Sequence, residues 1–213
     1  MVDFCRLIPI VCSMTYNPYD PYFKQAKKSW YKARSAFKLE EIDKKYKIFD
    51  RNVKTVMDIG CSPGSRMQYV NENIKKNSIK NPVIIGLDIK PSTVEISGVH
   101  RYVQDIQDTA AVGKIIWKHG VEKFDAIISD MAPNTIGFKD VDAIRSIELL
   151  RTTLPLYAQF LKAGGKAVIK IFMGPGFEEF VKEFKAIVGD KNVKVFKPSA
   201  CRKESKETYI VKF

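Results

Sequence analysis

The chain has 213 residues, 45% of them hydrophobic and 28% charged, enough for one globular domain with a sizeable core. No stretch reaches the roughly 18 uninterrupted apolar residues of a membrane span. The net charge is +12 and is spread along the chain. It fits either a lysine-rich surface or a polyanionic partner such as nucleic acid, and does not separate RNA from DNA.

The cysteines Cys5, Cys12, Cys61 and Cys201 match no zinc spacing, and His100 and His119 stand apart in sequence. No metal is expected, and the thiols read as the reduced cysteines of an intracellular protein. The start, MVDFCRLIPIVCSM, has a short apolar run without the basic cluster of a secretory signal. With one Arg and a helix broken at Pro9 it fits a mitochondrial presequence poorly. Met14 offers a second candidate start, which leaves 1–14 as a disordered extension. Residues 15–34, rich in Tyr, Pro and Lys, read as an arm, and 15–213 as one domain.

From Ser35 the texture changes. Ala36, Phe37, Leu39, Ile42 and Tyr46 recur at helical spacing, which predicts a helix over 35–47 capped by Ser35. Then VKTVMDI, PVIIGLD, FDAIISD and KAVIKIF form short apolar runs bounded by Gly, Pro or Asp, as strands buried on both faces do. Helical patterns fall at 65–76, 109–119, 141–162 and 176–188. Such alternation predicts an α/β fold, a parallel sheet with helices on both sides. HRYVQD is a weaker strand candidate. NVKVFKP and ETYIVKF, with no helix between them, predict an antiparallel close.

In open α/β sheets, ligands sit at the carboxyl ends of strands, near the switch in strand order. The loop Gly60-Cys61-Ser62-Pro63-Gly64 follows the first strand, and its glycines would let a ligand approach the backbone. It is neither a phosphate loop nor a GxGxxG turn, and a tight strand-to-helix turn without a ligand accounts for it as well. Asp88 at the tip of the second strand suits ribose hydroxyls, and Asp105 follows the third candidate. Glycine, acid, acid on three successive tips favours a nucleoside cofactor without a diphosphate: S-adenosylmethionine rather than NAD.

Asp130 ends the fourth strand, and Lys170 interrupts the apolar run of the fifth. A lysine there suffers desolvation unless a carboxylate stabilises its charge. A snorkelling lysine or a structural ion pair is the plainer reading. The alternative is a reacting group, because Asp130 stands at matching height on the neighbouring strand.

YKARSAFKL, DIGCSPGS, SDMAPN, KIF and KPSACRKESKETYIV follow in an order and spacing that resembles the FtsJ-type ribose 2′-O-methyltransferases. Within these it resembles the large-subunit ribosomal RNA methyltransferase E group, including its mitochondrial branch. The resemblance covers Tyr16 to Phe213. It implies a Rossmann-like class I methyltransferase, with a mostly parallel seven-stranded sheet and one antiparallel strand. It implies a catalytic tetrad of Lys38, Asp130, Lys170 and Glu207. It assigns S-adenosylmethionine to Gly60, Cys61, Pro63, Gly64, Ser65 and Arg66, with Asp88, Asp105 and Asp130. Two residues depart from the pattern. Arg66 stands where family members have Trp, so it is expected to point outward or to pair with an acid. Cys201 stands where they usually have Ser.

Lys27, Lys28, Lys32 and Arg34, interleaved with Trp30 and Tyr31, are candidates to bind RNA, with Arg202 and Lys203 as a second wall. An arm docked by its aromatics with solvated lysines is the plainer alternative. The implied function is 2′-O-methylation of a uridine in large-subunit rRNA, by a monomer in a bacterial-type cytoplasm or an organelle. Rivals are a tRNA or mRNA-cap methyltransferase, and a silent RNA-binding assembly factor.

Overall fold

The computed structural model describes residues 35–91, 95–202 and 204–213. The extension and the arm expected over 1–34 lie outside these residues.

The described chain runs α1 (Ser35–Tyr46), β1 (Thr55–Ile59), α2 (Ser65–Lys76), β2 (Val83–Asp88), β3 (His100–Val103), α3 (Thr109–Lys118) and β4 (Phe124–Ser129). It continues through α4 (Lys139–Arg151), α5 (Leu154–Phe160), β5 (Leu161–Phe172), α6 (Phe177–Val188), β6 (Val193–Phe196) and β7 (Glu207–Lys212). The strands form one seven-stranded sheet in the order β3-β2-β1-β4-β5-β7-β6. Every pairing is parallel except those of β7, which runs antiparallel to both β5 and β6. The predicted architecture and its antiparallel close are therefore present.

Alternation along the strands divides the core in two. Met57, Ile59, Ile85, Leu87, Ile127, Ile169 and Ile171 pack with residues of α3, α4, α5 and α6. Val56, Ile84, Ala126, Ile128, Val168, Tyr209 and Val211 face the other way, onto α1 and α2. Both faces are covered, which is why the strands read as continuous apolar runs. Asp43 fastens α1 to α2 by accepting from the Phe49 amide and the Tyr69 hydroxyl, each at 2.8 Å.

Two sequence expectations change. The pattern over 141–162 is two helices, because Pro155 lacks the N–H that a continuous helix would need and sits instead in the first turn of α5. The fifth strand begins at Leu161, directly after α5, rather than at Lys166. β3 is weak in sequence because it lies at the sheet's edge, where Val103 stays 64% exposed. Among the described residues no helix is long and apolar enough to cross a membrane.

Ile127, fully buried between β1 and β5, should lose about 2–5 kcal/mol on replacement by Ala. Val103→Ala at the exposed edge should stay within about 0.5 kcal/mol. Denaturant midpoints of the two variants test this partition.

Candidate active site

The strand order reverses between β1 and β4, since the chain leaves β1 for β2 on its other side. A crevice opens there at the carboxyl ends of the strands. Asp130, just past β4, donates its amide to the Ile59 carbonyl at the end of β1 (3.1 Å). The turn after β1 is tied to β2: the amides of Gly60 and Cys61 donate to the Leu87 carbonyl at 2.8 and 3.2 Å. The turn contains a cis Ser62–Pro63 bond, and Gly60 and Gly64 take φ of 73° and 113°. Gly60 is confined for a second reason. A Cβ there would lie 2.9 Å from Met131 Cγ and 3.2 Å from its amide nitrogen, so the β4 tip occupies the space a side chain would need.

The other predicted cofactor residues divide by role. Asp88 accepts the Ser62 amide on one oxygen and the Lys90 amide on the other, both at 2.8 Å. Each oxygen keeps a lone pair, so the carboxylate is held in place while still able to accept. Asp105 lies beyond β3, exposed, with one oxygen on the Gln107 amide (2.9 Å). Ser65 is buried, its hydroxyl 2.7 Å from that of Ser35, joining the starts of α1 and α2. The Cys61 side chain is also buried, and burial, with Asp58 and Asp88 nearby, pushes its thiol up to about 12. Cys61 and Ser65 thus offer backbone rather than side chain to a ligand. Among the described residues no cluster of His, Cys, Asp or Glu is placed to hold a metal ion.

The charged groups gather on the α1–α2 face. Two positions beyond Val56, Ile128 and Val168, strand alternation places Asp58, Asp130 and Lys170 on that same face. Ser129 pairs with Ile169, so Asp130 and Lys170 are level. Lys170 Nζ lies 2.5 Å from the Asp130 carbonyl oxygen and 3.1 Å from its Oδ1. Because β7 is antiparallel, its first residue, Glu207, lands opposite Phe172 at the same edge. Glu207 accepts from Lys38 of α1 in a buried ion pair. The Tyr209 hydroxyl stands between the two pairs, 2.7 Å from Glu207 Oε1 and 3.3 Å from Asp130 Oδ1. Lys38, Asp130, Lys170 and Glu207, distant in sequence, therefore meet in one network.

Arg66 joins the same network. Its Nη1 is 2.5 Å from Asp130 Oδ2, and its Nη2 is 2.6 Å from Asp58 Oδ1 and 2.5 Å from the Gly60 carbonyl oxygen. The sequence left two orientations open, outward or paired with an acid, and the side chain pairs inward.

Burial pushes the Lys170 amine down to about 7, and the cationic Arg66 and Lys38 push the same way, against Glu207, which pulls it up. For Glu207, burial works upward, but Lys38, Tyr209 and Lys170 outweigh it and hold the carboxyl below its usual value. Burial raises the Asp58 carboxyl against the pull of Arg66. Burial and Glu207 raise Tyr209 well above the ordinary phenol value, so it remains a neutral donor.

Two members of the network escaped the sequence reading. Tyr209 follows Glu207 by two positions on one strand, so it had to share its face. Asp58 is an acid inside the apolar run TVMDI, where an unpaired carboxylate would be costly. Of the proposed RNA-contacting residues, Arg202 is exposed in the loop before β7. Lys27, Lys28, Lys32, Arg34 and Lys203 lie outside the described residues.

A glycine turn and acidic strand tips at the switch of a sheet ending in an antiparallel β7 define a Rossmann-like methyltransferase. The family model of FtsJ-like methyltransferases matches residues 31–213, and the chain belongs to that family. It is 38% identical to the ribosomal RNA large subunit methyltransferase E of Pelagibacter ubique over 192 residues, 90% of each chain. With the protein of the same name from Bdellovibrio bacteriovorus it shares 39% over 199 residues, 93% of this chain and 97% of the relative. The crystal structure of a ribosomal RNA methyltransferase from Plasmodium falciparum superposes with a TM-score of 0.72 at 30% identity, covering 85% of this chain and 96% of that one. The fibrillarin pre-rRNA processing protein of Methanococcus jannaschii shares the fold, at TM-score 0.52 and 17% identity.

Glu207→Gln removes the carboxylate that pulls the Lys170 proton affinity upward. The Lys170 amine should then titrate below the wild-type value of about 7, as followed by NMR of labelled lysine.

Proposed function

We propose that this protein methylates a ribose 2′-hydroxyl in large-subunit ribosomal RNA, most specifically on a uridine, with S-adenosylmethionine as donor. The observation that carries the reading is Lys170: a buried amine near neutrality, held on Asp130 at the switch crevice. A ribose hydroxyl is a poor nucleophile and must lose its proton as it attacks. An amine that titrates near neutrality is in part unprotonated there and can accept it. A silent RNA-binding protein would have no use for so costly a placement.

The residues present fit the donor. Acids on the tips of β2 and β4 suit ribose hydroxyls and a cationic sulfur, and the Gly60–Gly64 turn brings backbone to the crevice without bulky side chains. When bound, the cofactor supplies an electrophilic methyl group. The chain's own residues do the rest. Asp88 and Asp105 hold the nucleoside end, and Asp130 anchors Lys170 by its carbonyl and carboxylate. Glu207 fixes Lys38, whose charge lies beside the developing alkoxide or its phosphate. The Tyr209 hydroxyl donates its one proton to Glu207 and lies beside Asp130. Alignment of hydroxyl, methyl and leaving sulfur contributes most of the rate. Action as a monomer, in a bacterial-type cytoplasm or an organelle, belongs to the same proposal.

Two outcomes are expected. Lys170→Ala should retain cofactor binding by calorimetry while 2′-O-methylation, read by mass spectrometry of rRNA nucleosides, falls by a factor of about 100 or more. Loss of binding together with activity would contradict the role given to the amine. Binding of ribosomal RNA should weaken steeply with salt, as expected of a chain with net charge +12 meeting phosphates through basic residues such as Arg202. A flat salt dependence between 50 and 200 mM, about the range in which such complexes weaken, would remove the electrostatic part of the account.

A further inference from the structure

Arg66, with its partner Asp58, is charged and lies at the crevice, and the catalytic scheme uses neither. Arg66 is 6% exposed, and it grips three groups at once. Nε and Nη2 reach Asp58 Oδ1 at 3.2 and 2.6 Å, and Nη2 also donates to the Gly60 carbonyl. That anchorage leaves the other arm of the fork, Nη1, pointed at Asp130 Oδ2. Asp130 is therefore shared. One oxygen faces the guanidinium, and the other faces Lys170 and the Tyr209 hydroxyl.

We propose that Arg66 is a positioning residue that divides Asp130 between two cations, so that Lys170 is oriented by the carboxylate without being locked to it as a charged ion pair. The inference rests on the methyl-transfer reading above and adds to it a residue that sets the pH range of the base. A carboxylate facing Lys170 alone would favour the ammonium form, which cannot accept a proton. With one oxygen neutralised by a guanidinium fixed from behind, the amine keeps its direction and gives up part of that stabilisation. The other groups facing Lys170 pull both ways. Glu207 from β7 favours its charge, Cys201 from the preceding loop stays an uncharged thiol that burial pushes up to about 11, Lys38 from α1 and Arg66 from α2 oppose the charge, and Asp58 on β1 stands behind Arg66. Asp58 and Asp130 together offset the guanidinium charge, so a cationic donor can lie nearby without net repulsion.

A merely structural role, neutralising buried Asp58, is the competing explanation. The test therefore removes that pair together. Arg66→Met with Asp58→Asn leaves no orphaned buried charge, and Arg66→Lys keeps the charge with a shorter reach. Each protein is assayed by single-turnover methylation of large ribosomal subunits isolated from a host lacking the family enzyme. The assay uses saturating S-adenosylmethionine from pH 6 to 9.5. The Lys170 amine is titrated in parallel by NMR.

The expected result is a rising limb displaced upward by about half a pH unit or more in the double variant. That is a loss of about twofold or more at pH 7, about threefold at pH 6, that shrinks as pH rises. The NMR titration should move the same way, and Arg66→Lys should lie between the two. An unmoved limb with an equal loss at every pH, or an unmoved Lys170 titration, overturns the inference and leaves Arg66 a structural partner of Asp58. If the wild type itself transfers no methyl group, the function proposed above fails instead, while the Lys170 titration still decides what Arg66 does.

Discussion

A residue on a strand covered from both sides has to face one layer of helices or the other, and it shares that face with the residues two positions away. Val56, Ile128, Val168 and Val211 face α1 and α2. The same parity carries Asp58, Asp130, Lys170, Tyr209 and Glu207 to that side at the end of the sheet. The apolar members hold the helices down. The helices in return bring Lys38 and Arg66 over the ionisable ones. The core and the site are therefore one construction. A shift of a single residue in the register of β5 or β7 would turn the ionisable groups into the opposite core, against α4 and α6.

The reversal of β7 matters for the same reason. A parallel final strand would carry its first residue to the far edge of the sheet. Running antiparallel, β7 delivers Glu207 beside the end of β5, where it meets Lys38. The resulting network alternates in sign: Lys38, Glu207, Lys170, Asp130, Arg66, Asp58. Burying so many charges is at best neutral for stability when every member is paired, and strongly unfavourable when one partner is lost. In the proposed function its justification is reactivity. An amine near neutrality needs burial, and burial of an amine needs a carboxylate close enough to steer it.

Much of this was readable from residue patterns. The apolar runs ending in Asp88 and Asp130 gave the sheet and the edge where the charged groups meet, and Lys170 stood out because a lysine in KAVIKIF has to be reconciled with its surroundings. The resemblance to a known family supplied Lys38 and Glu207, which lie too far from the other two for any local pattern to join them. What stayed hidden depended on three-dimensional neighbours. Gly60 reads as room for a ligand, yet the space beside it is taken by Met131. The direction of Arg66 follows from Asp58 and Asp130, on two different strands, and no window of sequence contains all three. The break at Pro155 was legible in principle, but apolar periodicity on both sides of it concealed the interruption.

The proposed function places a methyl donor on the α1–α2 side of the β1–β4 crevice, beside the buried network of amines and carboxylates. A crystal structure with S-adenosylhomocysteine bound tests it most directly. The account requires the thioether sulfur in the crevice, with the ribose on Asp88, Lys170 and Asp130 flanking the space beyond the sulfur, and Arg66 still turned inward. A ligand seated elsewhere, or Lys170 directed away from the sulfur with its tie to Asp130 broken, would contradict it.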